Sequence, residues 1–260
     1  LYDIKPGVPL DKKKAFFGLV IAGAAAAILL PLAIFLIGLS IGPPLPVPAR
    51  TTLPPVLADA LWARADGGTA DRLTPITHFS IAKFAACVAY EDFQDTRPGD
   101  AQRVANCREY MPALAGLEYL SGTHMRDASR ATGFREGFSR LSTTVWMTHT
   151  WSKADFLNTV AERGEFGAGI RGAEAASQHY FTRRAAELTL PQAALLAAFI
   201  GDRRTVFDPW CGPAGAVAMR SRVLQRMWDN HSIDEATFKS ANVSALGLGR
   251  RPNGHPACSQ

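Results

Sequence analysis

The chain has 260 residues, with 47% hydrophobic and 20% charged side chains and a formal net charge of +5. That balance excludes a disordered chain and a multi-span membrane protein, and leaves room for one membrane segment and one globular domain. The positive charge favours anionic partners such as phosphates or acidic lipid. It is too small, and too poor in interleaved aromatic and basic residues, to indicate nucleic-acid binding.

Residues 1–14 end in Lys12, Lys13 and Lys14, and from Ala15 to Gly42 there is no charged residue. About 20 apolar residues suffice to cross a bilayer as a helix, so 15–42 is expected to be a single transmembrane helix, kinked at Pro31. With lysines before it and Arg50 the first charge after it, the positive-inside rule predicts a cytoplasmic N-terminus and a domain in the periplasm, on the outer side of the inner membrane. A cleaved signal peptide is the alternative, although its apolar core would span only ~7–15 residues.

Residues 43–70 are Pro-rich at their start (PPLPVPARTTLPP) and read as a stiff linker, with a short helix expected over Val56–Ala65. A longer helix is expected over Phe79–Tyr90, where Ile81, Phe84, Ala85 and Val88 recur at helical spacing. Thr189 with Gln192, and Ser232 with Glu235, have the spacing of capping boxes that open two later helices. The domain proper is expected over 71–247, mostly α, followed by a tail over 248–260. Cys87, Cys107, Cys211 and Cys258 all follow the apolar run. In an oxidising compartment two disulfides are expected, Cys87–Cys107 and Cys211–Cys258, the first stabilising by roughly 3 kcal/mol; buried free thiols are the alternative. The cysteines form no CxxC and the six histidines are scattered, so no metal site is expected.

Glu91-Asp92 closes the apolar helix in the stretch CVAYEDF. Desolvation and the negative end of the helix dipole both disfavour a charge on Glu91, which suits a group that takes a proton near neutral pH. A solvated acidic pair ending a helix is the plain alternative. Further on, Arg126 and Arg130 share one helix face, with Arg135 and Arg140 nearby.

The stretch Ser152–Ile200 resembles the peptidoglycan glycosyltransferases, the transglycosylase domains of penicillin-binding proteins and their monofunctional relatives. The resemblance is carried by Ser152, Lys153, Leu157, Gly167, Gly169, Gly172, Ala175, Ala176, Tyr180 and Phe181. It continues through Leu188–Leu190 and Ala193–Ala197, then Asp208-Pro209, Arg220, Val223, Leu224 and Met227. It implies a lysozyme-like helical domain that polymerises glycan strands from lipid II, with Glu91-Asp92 at the place of the catalytic base. It also implies that Arg126, Arg130, Arg135, Arg140 and Lys153, or a divalent cation, hold the anionic pyrophosphate. Counting back from Lys153, the family's second functional glutamate falls at Arg140, or at Ser139 if the register slips, so Glu136, one turn earlier, is the candidate to replace it. The family's STITQQ motif has no clear counterpart. Two other readings therefore stay open: a non-catalytic relative that binds lipid II or glycan or scaffolds a cell-envelope complex, and a lysozyme-like enzyme that cleaves glycan.

Overall fold

A computed structural model describes residues 29–65, 67–93, 133–167, 169–200, 208–251 and 258. Among these the protein is mostly helical, and its only β feature is an isolated antiparallel bridge between Glu165 and Arg171. The helices are α1 (29–40), α2 (Pro55–Arg64), α3 (His78–Phe93), α4 (Phe134–Thr150), α5 (Lys153–Arg163), α6 (Ala173–Phe181), α7 (Leu190–Ala198), α8 (Pro213–Asp229) and α9 (Glu235–Val243).

The centre of the fold is α7. Ala193, Ala194, Leu195, Leu196 and Ala197 are all fully buried, as expected of a helix apolar on every side. Its alanines admit close neighbours, and α2 and α8 pack on it and on each other. The expected capping interaction is present at its start: Thr189 N–H donates to Gln192 Oε1 (3.1 Å), while Gln192 Nε2 donates to the Gly247 carbonyl (3.0 Å).

The stretch 43–70, read from sequence as a linker, contributes to this core. Pro54 and Pro55 start α2 without wasting a helical N–H, and Leu57, Ala60, Leu61 and Trp62 are buried. The preceding segment is also fastened, with Ala49 N–H donating to Thr159 Oγ1 and Thr51 Oγ1 to Glu162 Oε2. A polyproline-like composition describes the local backbone; the long-range hydrogen bonds decide that it lies against α5.

The uncharged run is only partly described. Residues 29–40 are helical, continuing through Pro31 and stopping before Gly42. Among the described residues no helix is long and apolar enough to cross a membrane, and 15–28 lie outside them.

The expected Ser232–Glu235 capping box does not form. Asp234 is the N-cap of α9, its side chain accepting from Thr237 N–H at 2.7 Å. Ser232 belongs to the end of α8 instead: its N–H donates to the Met227 carbonyl at 2.8 Å, with His231 in the left-handed region at φ 57°. This is a Schellman-type closure, and it takes the residue that the spacing had assigned to the next helix. Conversely, Ser152 and Asp155 form a reciprocal capping box at the start of α5 that the sequence reading passed over.

Cys211 and Cys258 are disulfide-bonded across 47 residues of sequence. Cys87 is disulfide-bonded too, and its expected partner, Cys107, lies outside the described residues. Closing a loop of the Cys211–Cys258 size restricts the unfolded chain by about 4 kcal/mol in the loop-entropy picture. The double variant Cys211→Ser/Cys258→Ser is therefore expected to lose up to that amount, read as a lower urea midpoint with an otherwise two-state transition.

Candidate active site

The segment leading into α3 is docked on α4. Ile76 N–H donates to Thr148 Oγ1 (3.0 Å), and the Ile76 carbonyl lies 3.0 Å from His149 Nε2. Beyond it Ile81 and Phe84, in the first turns of α3, pack with Ile76 and Val145. Glu91 and Asp92 stand in the last turn of α3, and Glu136 and Arg140 in the first turns of α4.

Among the expected site residues whose side chains are described, Lys153 lies apart from those on α4. Glu136 is half-buried in the first turn of α4, where a carboxylate suits the positive end of the helix dipole. Arg140 is half-buried one turn later. Arg135 is exposed and its Nη2 donates to the Ile41 carbonyl at 3.4 Å, engaging the chain just past the end of α1. Lys153 opens α5, beyond the far end of α4, so the ~1.5 Å rise per residue separates it from Glu136 by roughly 20 Å along the helix. Its Nζ sits 4.7 Å from the centroid of the Trp62 ring. The indole face offsets the placing of a cation at a helix N-terminus. Arg126 and Arg130 lie outside the described residues.

The face of α4 shared with Arg140 is unusually rich in buried hydroxyls. Ser139, Thr143, Thr144 and Thr148 are all buried. Thr144 Oγ1 donates to the Arg140 carbonyl and Thr148 Oγ1 to the Val145 carbonyl. Among the described residues the buried Ser139 hydroxyl has no hydrogen-bond partner.

The glycine-rich turn before α6 is built around Tyr180. Gly167 has φ 78°, and a Cβ there would lie 2.9 Å from the Tyr180 hydroxyl; only glycine accepts both the conformation and the approach. The hydroxyl donates to the Phe166 carbonyl (3.1 Å), and the ring stacks on Trp210 at 5.5 Å. Burial, with the Asp208 carboxylate nearby, pushes the phenol up from its ordinary 10.0 to about 12. Below pH 10 both folded and unfolded chains keep this proton, and the contribution to stability is complete. Between pH 10 and 12 only the unfolded chain ionises, so stability falls with rising pH, by up to ~3 kcal/mol from this group. Tyr180→Phe is expected to flatten that part of the alkaline denaturation profile.

Asp208, Cys211 and Cys258 bring three potential metal-ligand atoms within 4.8 Å of one another. The two sulfurs are bonded to each other, however, and the carboxylate is paired with Arg251 at 3.4 Å. That cluster therefore serves as a clasp for the C-terminal segment. Trp210 Nε1 reinforces it by donating to the Gly249 carbonyl at 3.1 Å.

The fold is thus a helical domain whose candidate acids stand on α3 and α4, and the comparisons identify its class. Residues 124–228 match the Transglycosylase family. A Biosynthetic peptidoglycan transglycosylase of Rhodospirillum centenum is 33% identical over 187 residues, covering 69% of this chain and 79% of that protein. Proteins of the same name are similar in Marinomonas sp. (51% over 128 residues; 49% of this chain, 51% of that one) and Shewanella oneidensis (38% over 103 residues; 38% and 41%). The chain belongs to this peptidoglycan transglycosylase family. For the Marinomonas and Shewanella proteins the match spans about half of the relative's length or less. Glu91 and Asp92 precede the family-matched stretch, whereas Arg126, Arg130, Arg135, Glu136, Arg140 and Lys153 fall within it.

Proposed function

We propose that the chain is a membrane-anchored glycosyltransferase that polymerises glycan strands from lipid II, with its N-terminus in the cytoplasm and its lysozyme-like domain in the periplasm. The observation that carries this reading is the Rhodospirillum alignment, which covers most of both chains. In the proposed reaction Glu91 takes the proton of the acceptor sugar's 4-hydroxyl. The freed oxygen attacks the anomeric carbon of the growing strand, undecaprenyl pyrophosphate departs with the bonding electrons, and the centre inverts. Asp92 and Glu136 would shape the charge around that proton transfer, and Arg126, Arg130 and Arg140 would stabilise the departing pyrophosphate. Arg135 and Lys153 are weaker candidates for that task, because the first engages Ile41 and the second Trp62.

One observation favours a second reading, a catalytically impaired relative that binds lipid II or glycan within an envelope complex. Arg140 is half-buried on α4, and counting back from Lys153 the family's second functional glutamate would fall at Arg140, or at Ser139 in the neighbouring register; a residue other than a carboxylate there changes what the site can stabilise. Incubating the purified full chain with labelled lipid II separates the two. Polymer from the wild type supports transfer. Saturable binding with no polymer supports the impaired relative and rejects the first reading.

A further inference from the structure

The helices α1 and α4 meet closely at Gly38, where a Cβ would collide with Ser142 and Phe138. Away from that point they part, leaving a groove of about 930 Å³ bounded by α1, α4 and the segment leading into α3. Leu30, Ile34 and Phe35 form one wall and Leu141, Val145 and Trp146 the other. Phe79 stands at the mouth, 68% exposed.

Three features define what fits there. The lining carries no charge, and two of its few polar side chains are already used within the protein: His149 against the Ile76 carbonyl, and Thr77 with Ser80. An occupant is therefore recognised through hydrocarbon contact alone. The rim of the groove is α1, whose Leu29, Leu36 and Ile37 lie outside the lining at 54–61% exposure and belong to the uncharged run Ala15–Gly42. A helix apolar on its outer side as well as its docked side is suited to hydrocarbon surroundings rather than water. Finally, the groove takes positions 138, 141, 145 and 149 of α4, one stripe of that helix, whereas Glu136 and Arg140 fall on the opposite stripe. A substrate chain led from those residues would have to cross the helix to reach it.

We infer that this groove seats an acyl chain of a bilayer phospholipid, holding the membrane-proximal end of the domain in register with the lipid surface, on the face of α4 opposite Glu136 and Arg140. The inference rests on the membrane reading given under Proposed function but not on catalysis. Trp146 in the wall supplies the probe. The full chain is reconstituted in nanodiscs of phosphatidylcholine with or without bromine on the acyl chains, and the emission of Trp146 is taken as the difference between wild type and Trp146→Phe. Brominated lipid is expected to quench most of that emission, and aqueous acrylamide little of it. Native mass spectrometry of the wild type is expected to show retained phospholipid, which Val145→Trp, by filling the groove, reduces several-fold. Quenching by acrylamide rather than by brominated lipid overturns the proposal, as does an absence of retained lipid. Displacement of the phospholipid by undecaprenyl phosphate also overturns it, reassigning the groove to the prenyl chain. Lipid II polymerisation is measured in the same nanodiscs, so a failure of sugar transfer with quenching intact rejects the catalytic reading alone.

Discussion

Replacing Glu91 by glutamine is expected to lower glycan polymerisation by roughly 10²–10⁴-fold, the usual loss when a general acid or base is removed. Glutamine keeps the size and hydrogen-bonding reach of the side chain, so lipid II binding is expected to change little. Thermal unfolding should be the same or slightly improved, because a negative charge leaves the C-terminal turn of α3, where the helix dipole disfavours it. The variant therefore separates chemistry from folding. Equal polymer yield from wild type and Glu91→Gln would remove Glu91 from the mechanism, and retained binding with lost turnover would place it at the proton.

Arg220→Met is expected to cost about 3–5 kcal/mol of stability. Arg220 is 1% exposed, yet its Nη1 donates to the Ser244 carbonyl at 2.7 Å and its Nη2 to the Asn242 carbonyl at 2.6 Å. These are carbonyls at the end of α9, where no further helical N–H follows to meet them. One guanidinium thus joins α8 to the end of α9, and burial pulls its pKa below the ordinary arginine value. Methionine preserves much of the volume but leaves those carbonyls unpaired. Each hydrogen bond to a charged donor contributes about 1.5–3 kcal/mol, and unpaired buried acceptors add a desolvation penalty. Arg220→Lys should recover part of the loss, since one ammonium cannot span both carbonyls with the geometry of the fork. Urea unfolding checks both, and a change below about 1 kcal/mol for Arg220→Met would show that α9 docks without the bridge.

Several elements were readable from local pattern. The apolar spacing of Ile81 and Phe84 announced α3, the Thr189–Gln192 pair announced α7, and the motif from Ser152 through Met227 announced the family. Helix formation depends on residues three and four apart, and the sequence displays those directly. The Asp155 cap was equally local, visible as a Ser-x-x-Asp spacing, and was simply outranked by the motif around it.

The candidate site was less legible. Glu91 and Arg140 stood out because a charged group met an apolar helix end or a family position, but Arg135 and Lys153 carried no sign of Ile41 and Trp62, their partners in the fold. Ser232 could have capped α9, and the competition went to α8 because its N–H was needed by Met227.

By itself, then, the sequence determined the helical class, the starts of α2, α3 and α7, the charge-free N-terminal run and the family. The tertiary structure alone decided that α2 enters the core, that Arg220 ends α9, that the C-terminal segment is clasped to the loop at Asp208, and that α1 and α4 enclose an apolar groove. The physical reason is range. Helical periodicity and capping are interactions over three or four residues, whereas Arg64 meets the Ile200 carbonyl across 136 positions, and no local pattern encodes which distant surface a side chain will find.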